Sequence, residues 1–300
     1  MMQGIKKYLP LLKKKNISYD KIIRNPVVKE KELIKNIHKY DGLICSDDEV
    51  TKLVLEKAVN LKVISKWGTG TDSIDKIYAK KKKIKVLNSP DAFSKSVAQL
   101  VWGMILLLSR NIIKTQKIIK DGQWPKLTGS LLKDKNLGII GLGKVGQSVI
   151  KMGSGFEMKI IGHDTKSLKK NFLKKFKVSK LSKKQLLKKS DFIVLCVDLN
   201  DSSHHLISKK ELKFMKKNSV LINISRGQVV NEKDLISALK NKKIKAAGLD
   251  VFETEPLKKN NSLLKLDNCV LSSHNAFNTE EEVNKVHKNT ILNLVRGLSL

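Results

Sequence analysis

The sequence predicts an α/β protein built on parallel sheets, and three observations support this prediction. The chain has 300 residues, the length of two average domains. Short β-rich runs alternate with stretches whose apolar residues recur at helical spacing, as in strands joined by helical crossovers. A glycine-rich turn, Gly141 to Gly146, lies between one such strand and the helix that follows it.

The first series of strands and helices extends from Asn16 to Asn88 and predicts a small α/β unit with a parallel sheet. A long helix is expected next, from about Ser94 to Lys120. It is apolar on nearly every side between Leu100 and Leu107, so we expect it to be buried as a connector or an interface. The four predicted strands of this series are 17–23, 42–45, 62–65 and 84–87.

The second series follows the turn at 121–125, and its strand count predicts a doubly wound sheet. A final amphipathic helix is predicted to begin with a capping box, with Thr279 as the N-cap and Glu282 as its partner. The six predicted strands are 137–140, 158–161, 192–196, 220–223, 246–249 and 270–271.

The net charge of +32, with an isoelectric point near 9.9, at first suggests a nucleic-acid binder. However, only four of the 60 cations are arginine, and base recognition favours the planar fork of arginine. A lysine-rich surface is also what an A/T-rich genome encodes readily. We therefore expect no nucleic-acid partner, although the charge should attract small anions.

Membrane insertion and secretion are not expected either. The longest apolar stretch, Val97 to Leu108, is shorter than the roughly 20 residues that cross a bilayer, and the start of the chain lacks the pattern of a secretory signal. The cysteines Cys45, Cys196 and Cys269 are odd in number and widely spaced, which argues against disulfides and a zinc site. These features predict a cytoplasmic protein without a metal.

The glycine-rich turn has the arrangement of a dinucleotide-binding motif. Gly141 permits the tight turn, Gly143 lets the backbone approach a pyrophosphate, and Gly146 lets the helix and strand pack closely. Asp164, 18 residues after Gly146, ends the next strand, where a carboxylate can accept hydrogen bonds from the adenosine ribose. Because it would repel a 2′-phosphate, the motif predicts NAD rather than NADP.

Arg226, Glu255 and His274 each lie just beyond the end of a predicted strand, where open α/β sheets bind ligands. An arginine can bind a carboxylate with two hydrogen bonds, and a histidine paired with a carboxylate can transfer a proton to or from a carbonyl oxygen. Spacing alone still favours ordinary roles, such as a surface ion pair for Arg226 or a backbone-bonded histidine for His274.

Several stretches together resemble the signature series of the D-isomer-specific 2-hydroxyacid dehydrogenases. The resemblance covers nearly the whole chain, in order, and short phosphoglycerate-dehydrogenase-like members look most similar. The stretches are Gly141–Gly146 with Asp164, Ile224–Gly227, Gly248–Pro256 and Ser273–Thr279, together with Lys66–Asp75 and Ser96–Leu100 in the positions of the family's substrate loop and connector helix.

This resemblance implies a catalytic trio of Arg226, Glu255 and His274, and a loop at 67–70 that offers backbone amides to the substrate carboxylate. Lys66 would attract a second anionic group, or is simply one solvated lysine among many. The expected cofactor-binding residues are Gly141, Gly143, Lys144, Val145, Gly146, Asp164, Cys196, Val197, Ser225 and Asp250, and the expected substrate-binding residues are Lys66, Trp67, Gly68, Thr69, Gly70 and Arg226.

The resemblance also implies two Rossmann-like or flavodoxin-like domains with doubly wound parallel sheets. A cofactor domain at 94–276 would be inserted in a substrate domain at 1–93 and 277–300. The two lobes would close around the substrate, and two copies would pair through their cofactor domains as a homodimer.

Departures from the family pattern qualify these expectations. The family usually has Pro at the position of Asp198 and Glu at the position of Gln99. It also has a strand before the helix at 8–12, which predicts that the strand at 17–23 lacks a neighbour. We therefore expect that the recorded start codon lies too far downstream.

The expected activity is NAD-dependent interconversion of a small D-2-hydroxy acid and its 2-oxo acid. The first candidate substrate is 3-phosphoglycerate, with glyoxylate and hydroxypyruvate close behind. A phosphite-type dehydrogenase is an alternative on the same scaffold. A non-catalytic NAD-sensing protein, whose lysine-rich surface recruits a partner, is an alternative of another class.

Overall fold

The computed structural model describes residues 2–22, 28–90, 92–166 and 170–299. The chain forms two compact units, of which one comprises Met1–Phe93 and Asn278–Leu300 and the other comprises Ser94–Phe277. Each unit contains a parallel sheet with helical crossovers, so the predicted α/β class with two Rossmann-like sheets is confirmed. The division of substrate and cofactor binding between the units stays a prediction.

The first unit is built on a three-stranded sheet in the order β1-β2-β3. The central strand β2 is fully buried, because its Val63 and Ile64 pack on both faces of the sheet. The strands are β1 (Gly42–Cys45), β2 (Val63–Lys66) and β3 (Lys85–Leu87), and the helices are α1 (Pro10–Lys13), α2 (Glu30–Asn36), α3 (Lys52–Lys57), α4 (Lys76–Lys81) and the last helix of the chain, α12 (Glu280–Gly297), with short 3-10 helices at Met2–Tyr8 and Ile37–Lys39.

The predicted strand at 17–23 is wrong for residues 17–22, which join no sheet. A strand requires a neighbour for its backbone hydrogen bonds, and residues 18–22 are instead exposed. The side chain of Asp20 accepts an exposed hydrogen bond from the Tyr40 hydroxyl, at 2.8 Å. Ile23 lies outside the described residues.

The second unit is built on a seven-stranded parallel sheet in the order β10-β9-β8-β7-β4-β5-β6. The order reverses beside β4, which is the doubly wound arrangement. The strands are β4 (Asn136–Ile140), β5 (Lys159–His163), β6 (Ser179–Lys180), β7 (Phe192–Leu195), β8 (Val220–Asn223), β9 (Ala246–Leu249) and β10 (Cys269–Leu271), and the helices are α5 (Ser94–Ser109), α6 (Ile112–Lys120), α7 (Lys144–Met152), α8 (Lys170–Lys175), α9 (Lys183–Lys189), α10 (Lys209–Phe214) and α11 (Glu232–Lys240), with 3-10 helices at Ser154–Phe156, Gly227–Val229 and Ser262–Lys265.

The single long helix expected at 94–120 is wrong, because the structure divides it into α5 and α6. Asn111 adopts a left-handed conformation with φ of 54°, and the Ser109 carbonyl accepts a hydrogen bond from the Ser130 amide instead of from the next helical turn. Within the described residues no single helix is long and apolar enough to cross a membrane, although α5 and α6 together meet that test by length and composition.

The capping box expected at the start of α12 does not form. Thr279 is the N-cap residue, but its side chain makes no capping hydrogen bond. The Glu282 carboxylate accepts a hydrogen bond from the Phe93 backbone amide, at 3.3 Å, so it is used for a tertiary contact rather than for the helix end.

Candidate active site

The three predicted catalytic residues follow strands whose ends lie side by side. Asn223 at the end of β8 pairs with Leu249 at the end of β9, which in turn pairs with Leu271 of β10. The loops that carry the three side chains therefore leave the same edge of the sheet. Nδ1 of His274 lies 2.7 Å from Oε2 of Glu255, and each side chain is about one-third exposed.

Glu255 is held from two directions. Its Oε1 accepts a hydrogen bond from the Phe252 amide at 3.0 Å, and its Oε2 contacts the ring of His274. The pKa of His274 is raised, chiefly by the hydrogen bond to Glu255 and also by the charges of Glu255 and Asp250, although burial and the charge of Arg226 act to lower it. Glu255 thereby stabilises the protonated ring and fixes its orientation.

The backbone at His274 is fixed by Asp250, which follows β9. His274 has φ of 53°, a left-handed conformation, and its amide donates to the Asp250 carbonyl at 2.7 Å. The buried Asp250 carboxylate accepts hydrogen bonds from the amides of Asn275 and Ala276, at 2.9 and 3.1 Å. Sequence reasoning missed this structural role of Asp250, and its cofactor role stays a prediction.

The turn that carries Arg226 is organised by Asn223. The Asn223 amide nitrogen donates to the Arg226 carbonyl at 3.0 Å, while its Oδ1 accepts from both the amide and the hydroxyl of Ser225. Sequence reasoning missed Asn223, although an Asn at a strand end before a turn is a signal for such local bonding. Ser225, an expected cofactor residue, is thus buried and bonded within this turn.

Gly227 brings the Arg226 turn against the Glu255 loop. A Cβ atom at Gly227 would lie 1.8 Å from the Phe252 carbonyl carbon and 1.9 Å from its oxygen, which no side chain tolerates. Because Gly227 has no side chain, its backbone can contact the backbone at Phe252, and the chain continues from Phe252 to Glu255. The charge of Arg226 also influences the pKa of His274, so all three predicted catalytic residues share one electrostatic environment.

The glycine-rich turn is shaped as a dinucleotide site requires. Gly141 has φ of 93°, and a Cβ there would lie 2.4 Å from the Cys196 carbonyl oxygen, while a Cβ on Gly146 would lie 2.2 Å from the Gly141 oxygen. In contrast, a Cβ on Gly143 would meet nothing within 4 Å. Gly143 therefore keeps open the space at the start of α7, where amide groups can approach a pyrophosphate. Lys144 and Val145 are the first residues of this helix.

Asp164 follows β5 beside the same turn. Its Oδ2 accepts a hydrogen bond from the Leu142 amide at 2.6 Å, and its Oδ1 accepts from the Lys166 amide at 2.7 Å. The carboxylate is only half-buried, so it can also accept ribose hydroxyls. Cys196 and Val197 adjoin Gly141, and burial raises the pKa of the Cys196 thiol to about 12, which keeps it neutral. These residues fit a bound NAD.

The expected substrate loop follows β2 in the first unit. Two of its backbone carbonyl groups accept hydrogen bonds. The Gly68 carbonyl accepts one from the Ser89 amide at 2.9 Å, and the Thr69 carbonyl accepts one from the Asn88 side chain at 2.6 Å. Among residues 2–22, 28–90, 92–166 and 170–299, the amides of residues 68–70 have no protein acceptor. Such a run of amides is suited to a carboxylate.

Two side chains where β2 meets this loop, Lys66 and Trp67, are buried. The Lys66 ammonium donates to Asp47 Oδ1 at 3.0 Å and to the Trp67 carbonyl at 3.1 Å, so it is not a solvated lysine. The Trp67 indole donates to Nδ1 of His287 at 2.9 Å and packs against Phe93. Burial lowers the pKa of His287, which preserves the neutral ring that accepts this bond. Sequence reasoning missed His287, whose signal is its place on the apolar face of α12.

Comparison with known proteins gives a consistent result. Residues 102–276 match the family model described as D-isomer specific 2-hydroxyacid dehydrogenase, NAD binding domain. The chain is 42% identical over 256 residues to D-3-phosphoglycerate dehydrogenase of Methanocaldococcus jannaschii, a match that covers 84% of this chain and 48% of that protein. It is 38% identical over 276 residues to glyoxylate reductase of Thermofilum pendens, covering 89% of this chain and 81% of the relative.

A solved structure extends the similarity to three dimensions. D-lactate dehydrogenase from Aquifex aeolicus, complexed with NAD and lactic acid, superimposes with a TM-score of 0.86 at 28% identity, over 96% of this chain and 91% of that one. The chain spans about half the length of its Methanocaldococcus relative and about four-fifths of its Thermofilum relative.

Proposed function

The chain belongs to the D-isomer specific 2-hydroxyacid dehydrogenase family, and from this premise we propose that it interconverts a small D-2-hydroxy acid and its 2-oxo acid with NAD as cofactor. The observation that supports this proposal most directly is the contact between His274 and Glu255 at the sheet edge that also carries Arg226. A proton-transfer group and a carboxylate-binding group are what this reaction requires.

Each residue of the trio has a separate task in the oxidation direction. Arg226 binds the substrate carboxylate and the oxygen on carbon 2 through its guanidinium group. His274 removes the hydroxyl proton through Nε2, because its Nδ1 is bonded to Glu255. Glu255 stabilises the positive charge that the ring acquires. When bound, NAD⁺ would accept the hydride from carbon 2, and His274 would hold the hydroxyl proton, so that the hydroxy acid becomes the 2-oxo acid.

The loop at 67–70 is proposed to bind the substrate carboxylate as well. Its amides have no acceptor among the described residues, and its carbonyls are held by Asn88 and Ser89. 3-Phosphoglycerate, glyoxylate and hydroxypyruvate all carry the carboxylate that these amides suit. The names of the two relatives, a phosphoglycerate dehydrogenase and a glyoxylate reductase, support this group of candidates.

A homodimer through the second unit is a further part of the proposal. Helix α6 has no buried residue, and the segment around it exposes large apolar side chains, a surface that a second copy could cover. We also propose a cytoplasmic location, since the chain's free thiols suit a reducing compartment. The exposed apolar residues are Ile112, Ile113, Ile119, Trp124 and Leu131.

Steady-state kinetics tests the proposed reaction. Wild-type protein should oxidise NADH in the presence of at least one small 2-oxo acid. Arg226→Ala and His274→Ala should each lower kcat/KM by roughly 10²- to 10⁴-fold, because each removes a group that acts on the reacting atoms. The matched controls Arg296→Ala and His38→Ala change exposed residues of the same types and should retain activity. Equal activity of the trio variants and the controls would contradict the proposal.

A further inference from the structure

An acidic loop lies beside the proposed substrate loop. Strands β1 and β2 are parallel neighbours, with Cys45 paired to Lys66, and the Trp67 amide donates to the Cys45 carbonyl at 2.7 Å. The loop after β1 therefore runs next to residues 66–70. It contains three consecutive carboxylates, at 47–49, in a chain whose cations outnumber its acids by 60 to 28.

The three carboxylates have different partners. Asp48 accepts hydrogen bonds from the amides of Val28 and Ser46, and Glu49 pairs with Lys29, so these two acids hold the local chain together. Asp47 makes its bond to Lys66. Among the residues that the structure describes, Asp47 is the one carboxylate in contact with the Lys66 ammonium.

The pair of Lys66 and Asp47 is asymmetric in its exposure to solvent. The Lys66 side chain is 4% exposed, whereas the Asp47 side chain is 55% exposed. A buried ammonium requires an anionic or polar partner, and Lys66 obtains this from Asp47 and from the Trp67 carbonyl. The Lys66 ammonium, which precedes the proposed carboxylate-binding amides in the chain, is thus already paired with a carboxylate, and that carboxylate is half-exposed to solvent.

We propose that Asp47 is a specificity residue that excludes substrates with a second anionic group. A phosphate at this place would meet the negative charge of Asp47 and would have to compete with it for Lys66. The favoured substrates are then 2-oxo and 2-hydroxy acids whose carboxylate is their only charge, such as glyoxylate or hydroxypyruvate, rather than 3-phosphoglycerate. This inference rests on the proposed function, in which the 67–70 loop binds the carboxylate.

Two substrates that differ only by a phosphate test the proposal. The kcat/KM values for hydroxypyruvate and 3-phosphohydroxypyruvate are measured with NADH in wild-type protein, Asp47→Asn and the control Asp41→Asn. An asparagine at position 47 can still accept a hydrogen bond from Lys66, but it carries no charge. Asp41 is a suitable control because it precedes β1 and forms an exposed ion pair with Lys62. We expect wild-type protein to prefer hydroxypyruvate by at least about tenfold. Asp47→Asn should move the ratio about tenfold towards the phosphorylated acid, and Asp41→Asn should leave it unchanged.

The outcomes separate this inference from the proposed function. Equal or faster turnover of the phosphorylated acid by wild-type protein would overturn the role of Asp47 alone. The role of Asp47 would also be overturned if Asp47→Asn unfolds at the wild-type temperature and has the wild-type ratio of kcat/KM values for the two substrates. If that variant does not fold, Asp47→Ser provides the same comparison without the charge. Failure of wild-type protein to reduce any 2-oxo acid would overturn the proposed function, and this inference with it.

Discussion

His274 depends on its neighbours for both its conformation and its charge. Asp250 fixes its left-handed backbone, and Glu255 binds its Nδ1 atom. Burial and Arg226 oppose protonation of the ring, but the hydrogen bond to Glu255 raises the pKa of His274 despite them. In the proposed mechanism, reduction of a 2-oxo acid requires the protonated ring of His274, so the raised pKa should extend this reaction to higher pH.

Replacing Glu255 by Gln should therefore change the pH dependence of reduction. Because the raising effect of the carboxylate is lost, the pKa of His274 falls, and kcat/KM for reduction should decline at lower pH than in wild-type protein. The measurement is a pH profile of NADH oxidation with a 2-oxo acid. Glu253→Gln is the control, since Glu253 is in the same loop but bonds to His205. A Glu255→Gln profile that coincides with the wild-type profile would exclude the proposed role of Glu255.

The candidate residues that the sequence indicates and those that it does not indicate differ in how they contribute to the site. Arg226, Glu255 and His274 are of residue types that can perform the proposed chemistry and they follow strand ends, so a sequence pattern can indicate them as candidates. Asn223 and Gly227 act through contacts within a turn and between loops. Such contacts depend on which backbone segments meet in space, and one sequence contains no direct record of that.

At the scale of elements, the turn between β4 and α7 has glycines with two distinct functions. Gly141 and Gly146 are required by packing, since a Cβ on either would lie within 2.4 Å of backbone oxygen. Gly143 has extended backbone, with φ of −66° and ψ of −163°, and open space around the position of a Cβ. The surrounding structure does not require glycine there, which supports the proposal that a ligand approaches this position.

Gly143→Ala should accordingly fold normally and bind the cofactor poorly. The added methyl group would occupy the space that a pyrophosphate needs, so we expect NADH affinity to fall by at least about tenfold, with little change in Tm. Fluorescence titration of NADH and thermal unfolding provide the two measurements. Gly155→Ala is the control, because its Cβ would also meet nothing within 4 Å. Wild-type affinity in Gly143→Ala would show that the turn does not bind a pyrophosphate.

Most strands and helices could be predicted from sequence, and the errors have local causes. Buried apolar residues dominate the strands β4, β7, β8 and β9, which makes these strands easy to recognise. The two-residue strand β6 is too short for any pattern. The break at Asn111 depends on bonds to residues 128 and 130, and the absence of a strand at 17–22 depends on pairing, so both were beyond local sequence signals.

At the scale of the whole molecule, the segment from α6 to Leu131 carries the proposed homodimer interface. Helix α6 has no buried residue although it carries Ile112, Ile113 and Ile119, and Trp124 is 81% exposed. Apolar side chains concentrated in one segment are typical of an interface, whereas scattered ones are ordinary on a protein surface. This concentration supports the proposed homodimer.

Ile113→Asp should weaken or abolish the dimer, since a carboxylate would be buried at the interface without a partner. Sedimentation velocity of wild-type protein should give the mass of two chains, and the variant should shift towards the mass of one. Ile77→Asp is the control, because Ile77 is 87% exposed on α4 of the other unit. A wild-type protein that sediments at 33.8 kDa at micromolar concentration would exclude the proposed assembly.

The bond between Trp67 and His287 has a consequence for biosynthesis. The two residues are 220 positions apart, and the Ser65 hydroxyl likewise donates to the carbonyl of Thr290. A ribosome releases the early strands of this unit long before α12 exists, and the whole second unit is translated in the interval. The early segment therefore cannot complete these two contacts during synthesis until α12 has left the ribosome.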